Sequence, residues 1–268
     1  MDEDKSDDRT ETSARYSVNA VTSAMSVFAA VVQQGSISLD QAAAVAEVSR
    51  STAYRLVVTL TELGLVEKIP AGGYGPGPMA FQWAGKLLNQ LDVRSIAHPS
   101  MRRLRDETGE SVNLALLTTS ELVYVDSLES PGLLRTVEEV GTVVPVHAAA
   151  IGKAVAAFLP PDQLGRLLPP EPYRKLGPKT IRTWPALTAQ LEEVRSRGYA
   201  LDVEEVAEGV VCVAAPILVG ARAVGAMSLS GPRARLSDER LVNLGTQIMK
   251  AAEDVSLLLD HERGSAAT

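Results

Sequence analysis

The chain has 268 residues, of which 46% are apolar and 22% charged, with a formal net charge of −7. That length leaves room for two domains, each able to bury a core of its own. No apolar run approaches the length of a membrane span and the N-terminus lacks a signal-peptide pattern, so a cytoplasmic protein with no membrane partner is expected. One cysteine, Cys212, excludes an intrachain disulfide. His98, His147 and His261 show no metal-ligand spacing with it, so neither a metal site nor a cofactor is expected.

The first segment, 1–15, carries Asp2, Glu3, Asp4, Asp7, Asp8 and Glu11 and reads as a disordered, solvating acidic tail. A first domain follows over 16–78. Val21, Ala24, Met25, Phe28 and Val31 recur at helical spacing within Val18–Gln34, and Gly35 stops that helix. A short helix over Leu39–Ala46 packs through Ala42, Ala43 and Val45. Ser49 is placed to cap a third helix, because its hydroxyl can accept an open first-turn N–H. On that helix Ala53, Leu56, Val57, Leu60 and Leu63 recur every three or four residues and face the core. Arg50, Ser51, Thr52, Tyr54, Arg55 and Thr59 are left on the outer or flanking faces. Gly64 closes the helix and Gly72-Gly73 supports a hairpin turn. Helix, turn, polar-faced helix and β-ribbon make a winged helix-turn-helix, a device for placing one helix in a DNA groove. The basic residues available are few (Arg50, Arg55, Lys68, Lys86), so non-specific affinity is expected to be weak and salt-sensitive.

Residues 79–95 read as a linker helix whose apolar residues, Phe81, Trp83, Leu87, Leu88 and Leu91 among them, could pair with another subunit or pack within the chain. A second domain is expected over 96–262. A helix over Ile96–Thr108 leads into strands at Ser111–Leu117, Glu121–Ser127, Leu133–Val137 and Val143–Val146. Helices follow at Ala148–Leu159, Asp162–Leu168 and Trp184–Gly198. Strands at Tyr199–Val203, Val210–Ala214, Ile217–Val219 and Ala223–Ser230 precede a closing helix over Ser237–Leu259. The last helix carries Leu241, Leu244, Ile248, Ala252, Val255 and Leu259 on one stripe. The fold class is α+β, with an antiparallel sheet and helices around it.

A ligand site can be argued from residues alone. Ser228 and Ser230 are two apart on one strand, so their hydroxyls share a face, and Cys212 lies in a neighbouring apolar strand. The small residues Ala148, Ala149, Ala150 and Gly152, with Ile151, open a helix whose free N–H groups could cradle a carboxylate.

The chain resembles the IclR family of bacterial transcription regulators. The resemblance is carried by SLDQAAAVAEVSRSTAYRLVVTLTELGLVEK, residues 38–68, in the first half. In the second half it is carried by Thr108–Ala115, Val144–Ala148, Gly152-Lys153-Ala154, Arg197-Gly198-Tyr199, Gly209–Pro216 and Ser228–Pro232. It covers about residues 18 to 260. The resemblance implies a GAF-like effector-binding second domain and contacts from Arg50, Ser51, Thr52, Tyr54 and Arg55 to phosphates and base edges. It implies ligand contacts from Ala150, Ile151, Asp202, Cys212, Ser228 and Ser230, with apolar walls from Leu133, Val144 and Val210. The wing departs from the family pattern, reading Tyr74-Gly75-Pro76-Gly77 with no arginine.

The function expected is therefore an effector-responsive, DNA-binding transcription regulator, a repressor in preference to an activator, of a metabolic or catabolic operon. Its partners would be a double-stranded DNA operator, a small organic-acid effector and further copies of itself, as homodimer or homotetramer. Asp202 would repel a bare carboxylate, which favours an acid that also bears a hydroxyl. An enzyme is not expected: Gly152-Lys153 lacks the flanking residues of a phosphate loop, and no G-x-S-x-G element is present. The alternatives are a small-molecule enzyme using the second-domain pocket, and a metabolite-binding module whose first domain serves protein contacts.

Overall fold

A computed structural model of the chain describes residues 18–89 and 92–266. The acidic segment expected at 1–15 lies outside the described residues. The backbone divides into two units, Met1–Gln90 and Leu91–Thr268.

In the first unit, α1 (Asn19–Gln34), α2 (Leu39–Val45) and α3 (Arg50–Glu62) are followed by a two-stranded ribbon, β1 (Val66–Lys68) and β2 (Tyr74–Pro76), and by α4 (Pro78–Asn89). Local chemistry explains each boundary. Gly35 ends α1 in the left-handed region at φ 73°. Ser38 and Gln41 form a capping box at the start of α2. Ser49 accepts the Thr52 N–H (3.2 Å) and caps α3, as its position in the sequence predicts. The hairpin turns through Gly73 at φ 94°, where a Cβ would lie 2.7 Å from the Ile37 carbonyl oxygen. The core is Val27, Ala30 and Val31 of α1, Ala42 of α2, and Ala53, Val57 and Leu60 of α3, closed by Ile37, Leu65 and Val66.

The apolar stripe of α1 differs from expectation. Val21 and Met25 are exposed while Val27 and Ala30 are buried, and Leu63 at the end of α3 is exposed too. Val21, Met25 and Leu63 border an open apolar groove of about 530 Å³ between α1 and α3.

The second unit opens with α5 (Asp92–Thr108), β3 (Ser111–Leu117) and β4 (Leu122–Leu128). Then come α6 (Ala150–Ala156), α7 (Pro161–Leu167), α8 (Trp184–Arg197), β5 (Ala200–Val203), β6 (Val210–Val219), β7 (Arg222–Pro232) and α9 (Asp238–Ala266). The five strands form one antiparallel sheet in the order β4-β3-β7-β6-β5. Alternation along the strands divides the side chains between two layers. Val112, Leu114, Val211, Val213, Met227 and Leu229 pack with Ala97, Met101 and Leu104 of α5 and with the α9 stripe. Leu241, Leu244, Ile248, Ala252, Val255 and Leu259 are all buried, the stripe the sequence predicts. The opposite face carries Ala115, Ala200, Ala214 and Ala226 under Ala150, Ile151 and Ala154 of α6 and Leu187 and Leu191 of α8.

Two expectations are corrected here. Leu133–Val137 and Val143–Val146 are not strands. That segment runs as a loop and its polar atoms go elsewhere: Ser111 Oγ donates to the Thr136 carbonyl (2.7 Å), Arg235 donates to the Leu134 carbonyl (2.8 Å), and Val143 makes only an isolated bridge to Val123. Conversely, Val210–Val219 is one strand, although Pro216 invites a break. The Arg233 N–H donates to the Gly209 carbonyl (2.8 Å), so the hydrogen-bonded pairs between β6 and β7 involve the odd-numbered residues of β6. Pro216, opposite Ala226, falls on a non-hydrogen-bonded pair, and its missing N–H faces the side where β5 pairing has already ended at Ala200–Ala214.

Candidate functional site

In the first unit, the ridge of α3 that does not face the core is polar and open. Arg50, Ser51, Thr52, Tyr54, Arg55 and Thr59 are all exposed, with Ala53, Val57 and Leu60 buried behind them. The five residues singled out from the sequence for DNA contact therefore stand together on an unobstructed face. The cap ties the start of this face into a hydroxyl cluster, with Ser49 Oγ 3.0 Å from Ser51 Oγ and 2.9 Å from Thr52 Oγ1. Arg50 is shared with α2 through an ion pair to Asp40 (3.2 Å), both side chains being well exposed. Arg55 has no such carboxylate among the described ion pairs, and it lines the groove with Thr52 and Thr59. The ribbon exposes Lys68 and Glu67, so it offers little net charge.

In the second unit, the register places Asp202 of β5 opposite Cys212 of β6, Cys212 opposite Ser230 of β7, and Ser230 opposite Ser111 of β3. The next row on the same face runs Ala200, Ala214, Ser228 and Asn113. Asp202, Ser228 and Ser230 are each no more than 2% exposed. The four polar residues singled out from the sequence on these strands are thus brought together under α6. Val210 lies on the same face, opposite Pro232. Ala150, Ile151 and Val144 belong to the apolar layer packed over it. Leu133 does not: it sits fully exposed on the β4–α6 loop and is not brought to this cluster. Helix α6 is also shorter than expected, only seven residues, so its dipole contributes little at its N-terminus. Gly152 is where α6 touches the preceding loop, and a Cβ there would stand 2.6 Å from Val146 Cα.

Burial sets the electrostatics. Desolvation raises Asp202 from 3.8 to about 7, although it accepts the Glu205 N–H (2.7 Å) and Lys153 lies near. Burial likewise raises Glu138, a carboxyl in the β4–α6 loop. Burial holds the Cys212 thiol and the Tyr124 hydroxyl protonated, with Asp202 and Glu138 adding to both shifts. A protonated buried thiol is a weak nucleophile. On α6, Lys153 is fully buried and donates to Glu205 (2.5 Å) and to Gln190 (2.6 Å). Burial pulls Lys153 down and Glu205 up, and their mutual attraction opposes both shifts. Among the described residues no group of His, Cys, Asp and Glu is arranged to hold a metal ion.

Five residues escape sequence reasoning as members of this site: Asn113, Tyr124, Glu138 and the paired Lys153 and Glu205. Asn113 offers its own signal, a lone amide in the apolar run SVNLALL, since a buried polar group needs partners. Glu138 and Glu205 sit in loops, where no periodicity marks burial.

Comparison with known proteins is consistent across the chain. The family model for the bacterial transcriptional regulator IclR C-terminal domain matches residues 85–257, and that for the IclR helix-turn-helix domain matches residues 20–70. The transcriptional repressor IclR of Escherichia coli (strain K12) is 34% identical over 227 residues, 83% of each chain. The crystal structure of Thermotoga maritima IclR matches with a TM-score of 0.75 at 30% identity, covering 90% of this chain and 99% of that one. An IclR homologue from Microbacterium hydrocarbonoxydans, complexed with 4-hydroxybenzoate, matches with a TM-score of 0.76 over 89% of this chain and 97% of that one. At 22% identity it speaks to the fold alone.

Proposed function

We propose that this chain, which belongs to the IclR family of bacterial transcriptional regulators, represses a metabolic or catabolic operon and is released from DNA by a small organic acid. The first unit reads DNA through α3. Its N-terminal half enters the major groove, Ser51 and Thr52 donate to phosphates, Arg50 and Arg55 reach phosphates or guanine edges, and Tyr54 packs against the backbone. The ribbon, with no arginine, adds little. Two copies of α3 in a homodimer or homotetramer bind a palindromic or pseudo-palindromic operator.

The effector occupies the polar face of the second unit, between the sheet and α6. Ser228 and Ser230 hold its carboxylate, Asp202 meets its hydroxyl, and Ala150, Ile151, Val144 and Val210 supply apolar contact. The observation that carries this reading is the row Asp202–Cys212–Ser230 with Ser228 beside it, a polar cluster inside an otherwise apolar layer. Polar groups are buried at a cost, so a cluster of them needs partners. The ligand named for the M. hydrocarbonoxydans homologue, a hydroxylated acid, is of the same class. The cluster lacks the parts of a hydrolase, since Cys212 is held as a thiol and the His147 ring is bonded to the Arg174 carbonyl (3.0 Å). We therefore assign no catalysis to it, and we place the protein in the cytoplasm with its DNA. Effector and operator shift one equilibrium between DNA-competent and incompetent arrangements, with α4 carrying the coupling.

Fluorescence anisotropy with the duplex upstream of the protein's own gene, against a scrambled duplex at two salt concentrations, tests the DNA half. Preference for the upstream duplex is expected. Equal, weak binding to both would overturn it.

A further inference from the structure

The two serines and the amide beside them carry more than a binding site: they carry its polarity. Asn113 of β3 lies opposite Ser228 of β7. Its Nδ2 donates to Ser228 Oγ (3.4 Å) and to Ser230 Oγ (3.3 Å), and its Oδ1 accepts the Ser127 hydroxyl (2.8 Å). The distances agree with that orientation of the amide. A separation of 2.8 Å is usual for O–H···O, whereas 3.3–3.4 Å is long for a hydroxyl donor and closer to the N–H range. Turned over, the amide would set its carbonyl between the serines and its NH₂ against Ser127. The residue is 1% exposed, and its two bonds to the serines are buried.

A serine hydroxyl has one proton and two acceptor lone pairs. When an amide N–H from β3 occupies an acceptor site on each oxygen, each proton must point elsewhere, and that of Ser230 has the Cys212 sulfur as a partner. We propose that Asn113 fixes the hydrogen-bond polarity of the site, turning both Ser228 and Ser230 into donors aimed at the two oxygens of one carboxylate. The Cys212 thiol beside Ser230 is a weak acceptor and yields easily to an anion. Asn113 thereby selects acids over their amides without touching the ligand; it is a positioning residue for specificity. The inference rests on the effector site proposed above.

Full-length protein is titrated by calorimetry with 4-hydroxybenzoate, lactate and glycolate, and with the matching amides. Wild type is expected to bind at least one acid more tightly than its amide. Asn113→Asp keeps the shape but places acceptors beside the serines, whose protons then turn toward it. It is expected to weaken the acid about 100-fold and to reverse the preference in favour of the amide, an inversion that mere loss of packing would not produce. Asn113→Ala removes the lock without reversing it, and about a tenfold loss is expected. Thermal melting of each variant reports its folding. If Asn113→Asp does not fold, Asn113→Ala decides alone. A wild type that prefers the acid, with both folded variants binding it within about threefold of wild type, would overturn the role of Asn113 and leave the site intact. A wild type that binds none of the acids would overturn the effector-site reading itself, and this inference with it.

Discussion

The two polar faces of this molecule are built on opposite terms. On α3 the side chains proposed to contact DNA are exposed, standing on a core of Ala53, Val57 and Leu60 that does not involve them. On the sheet of the second unit the side chains proposed to hold the effector include the buried Asp202, Ser228 and Ser230, the serines bonded to Asn113, and burial shifts both Asp202 and Cys212 from their ordinary ionisation. A surface that reads a macromolecule displays its donors. A site that reads a small molecule keeps them out of water, where each bond discriminates more but each unpaired group also costs more. Substitutions should therefore separate binding from folding on α3 and entangle them under α6.

The strongest test of that contrast is Lys153→Met. It leaves Glu205 buried without its cation, and breaking such a pair costs about 3–5 kcal/mol. Chemical denaturation should show that loss in the second unit. A variant as stable as wild type would mean that the pair is not carried as ions.

Next in size is Asp202→Asn. In wild type the folded Asp202 titrates at about 7 against an ordinary 3.8, so its neutral form is the one that suits the fold. The wild-type penalty is absent below about pH 4, grows as pH rises through that window, and levels off above 7. Three pH units correspond to at most ~4 kcal/mol. The amide, neutral at every pH, should therefore raise the melting temperature relative to wild type at pH 8 and leave it unchanged near pH 4. An equal effect at both values would remove the buried aspartate from the account.

Arg55→Ala reverses the pattern. DNA affinity should fall by about 1–3 kcal/mol in anisotropy, while the melting temperature stays put, as for ordinary surface changes. A drop in stability instead would show that α3 is not a free reading face. The smallest effect is expected from Asp40→Asn, which releases Arg50 from its exposed partner. Exposed pairs of this kind contribute about 0.2–1 kcal/mol. DNA affinity should rise a few-fold at low salt, and the gain should vanish as salt screens it.

What could be read from the sequence follows the same division. Caps and periodicity are local, so Ser49, Gly35 and the α9 stripe from Leu241 to Leu259 are legible, and so is the placing of Ser228 and Ser230 on one face. Residues whose role depends on register between distant strands are not. Asn113 meets Ser228 across 115 positions, and Lys153 meets Glu205 across 52. The β4–α6 loop is the least legible part. Leu133–Val137 reads as a strand from its apolar and β-branched residues, yet its carbonyls are taken by Ser111 and Arg235 and Leu133 faces solvent. Val21 and Met25 show the converse limit: helical spacing marks an apolar stripe but not which part of it the partner helix covers.

The central claim is that acid bound among the buried serines controls DNA held by the exposed helix. It is tested most directly by anisotropy on the upstream duplex with and without a saturating hydroxy acid, comparing wild type with the double variant Ser228→Ala, Ser230→Ala. Both proteins should bind DNA equally without acid, and only wild type should release it when acid is added. Release of equal size from both proteins would contradict the account.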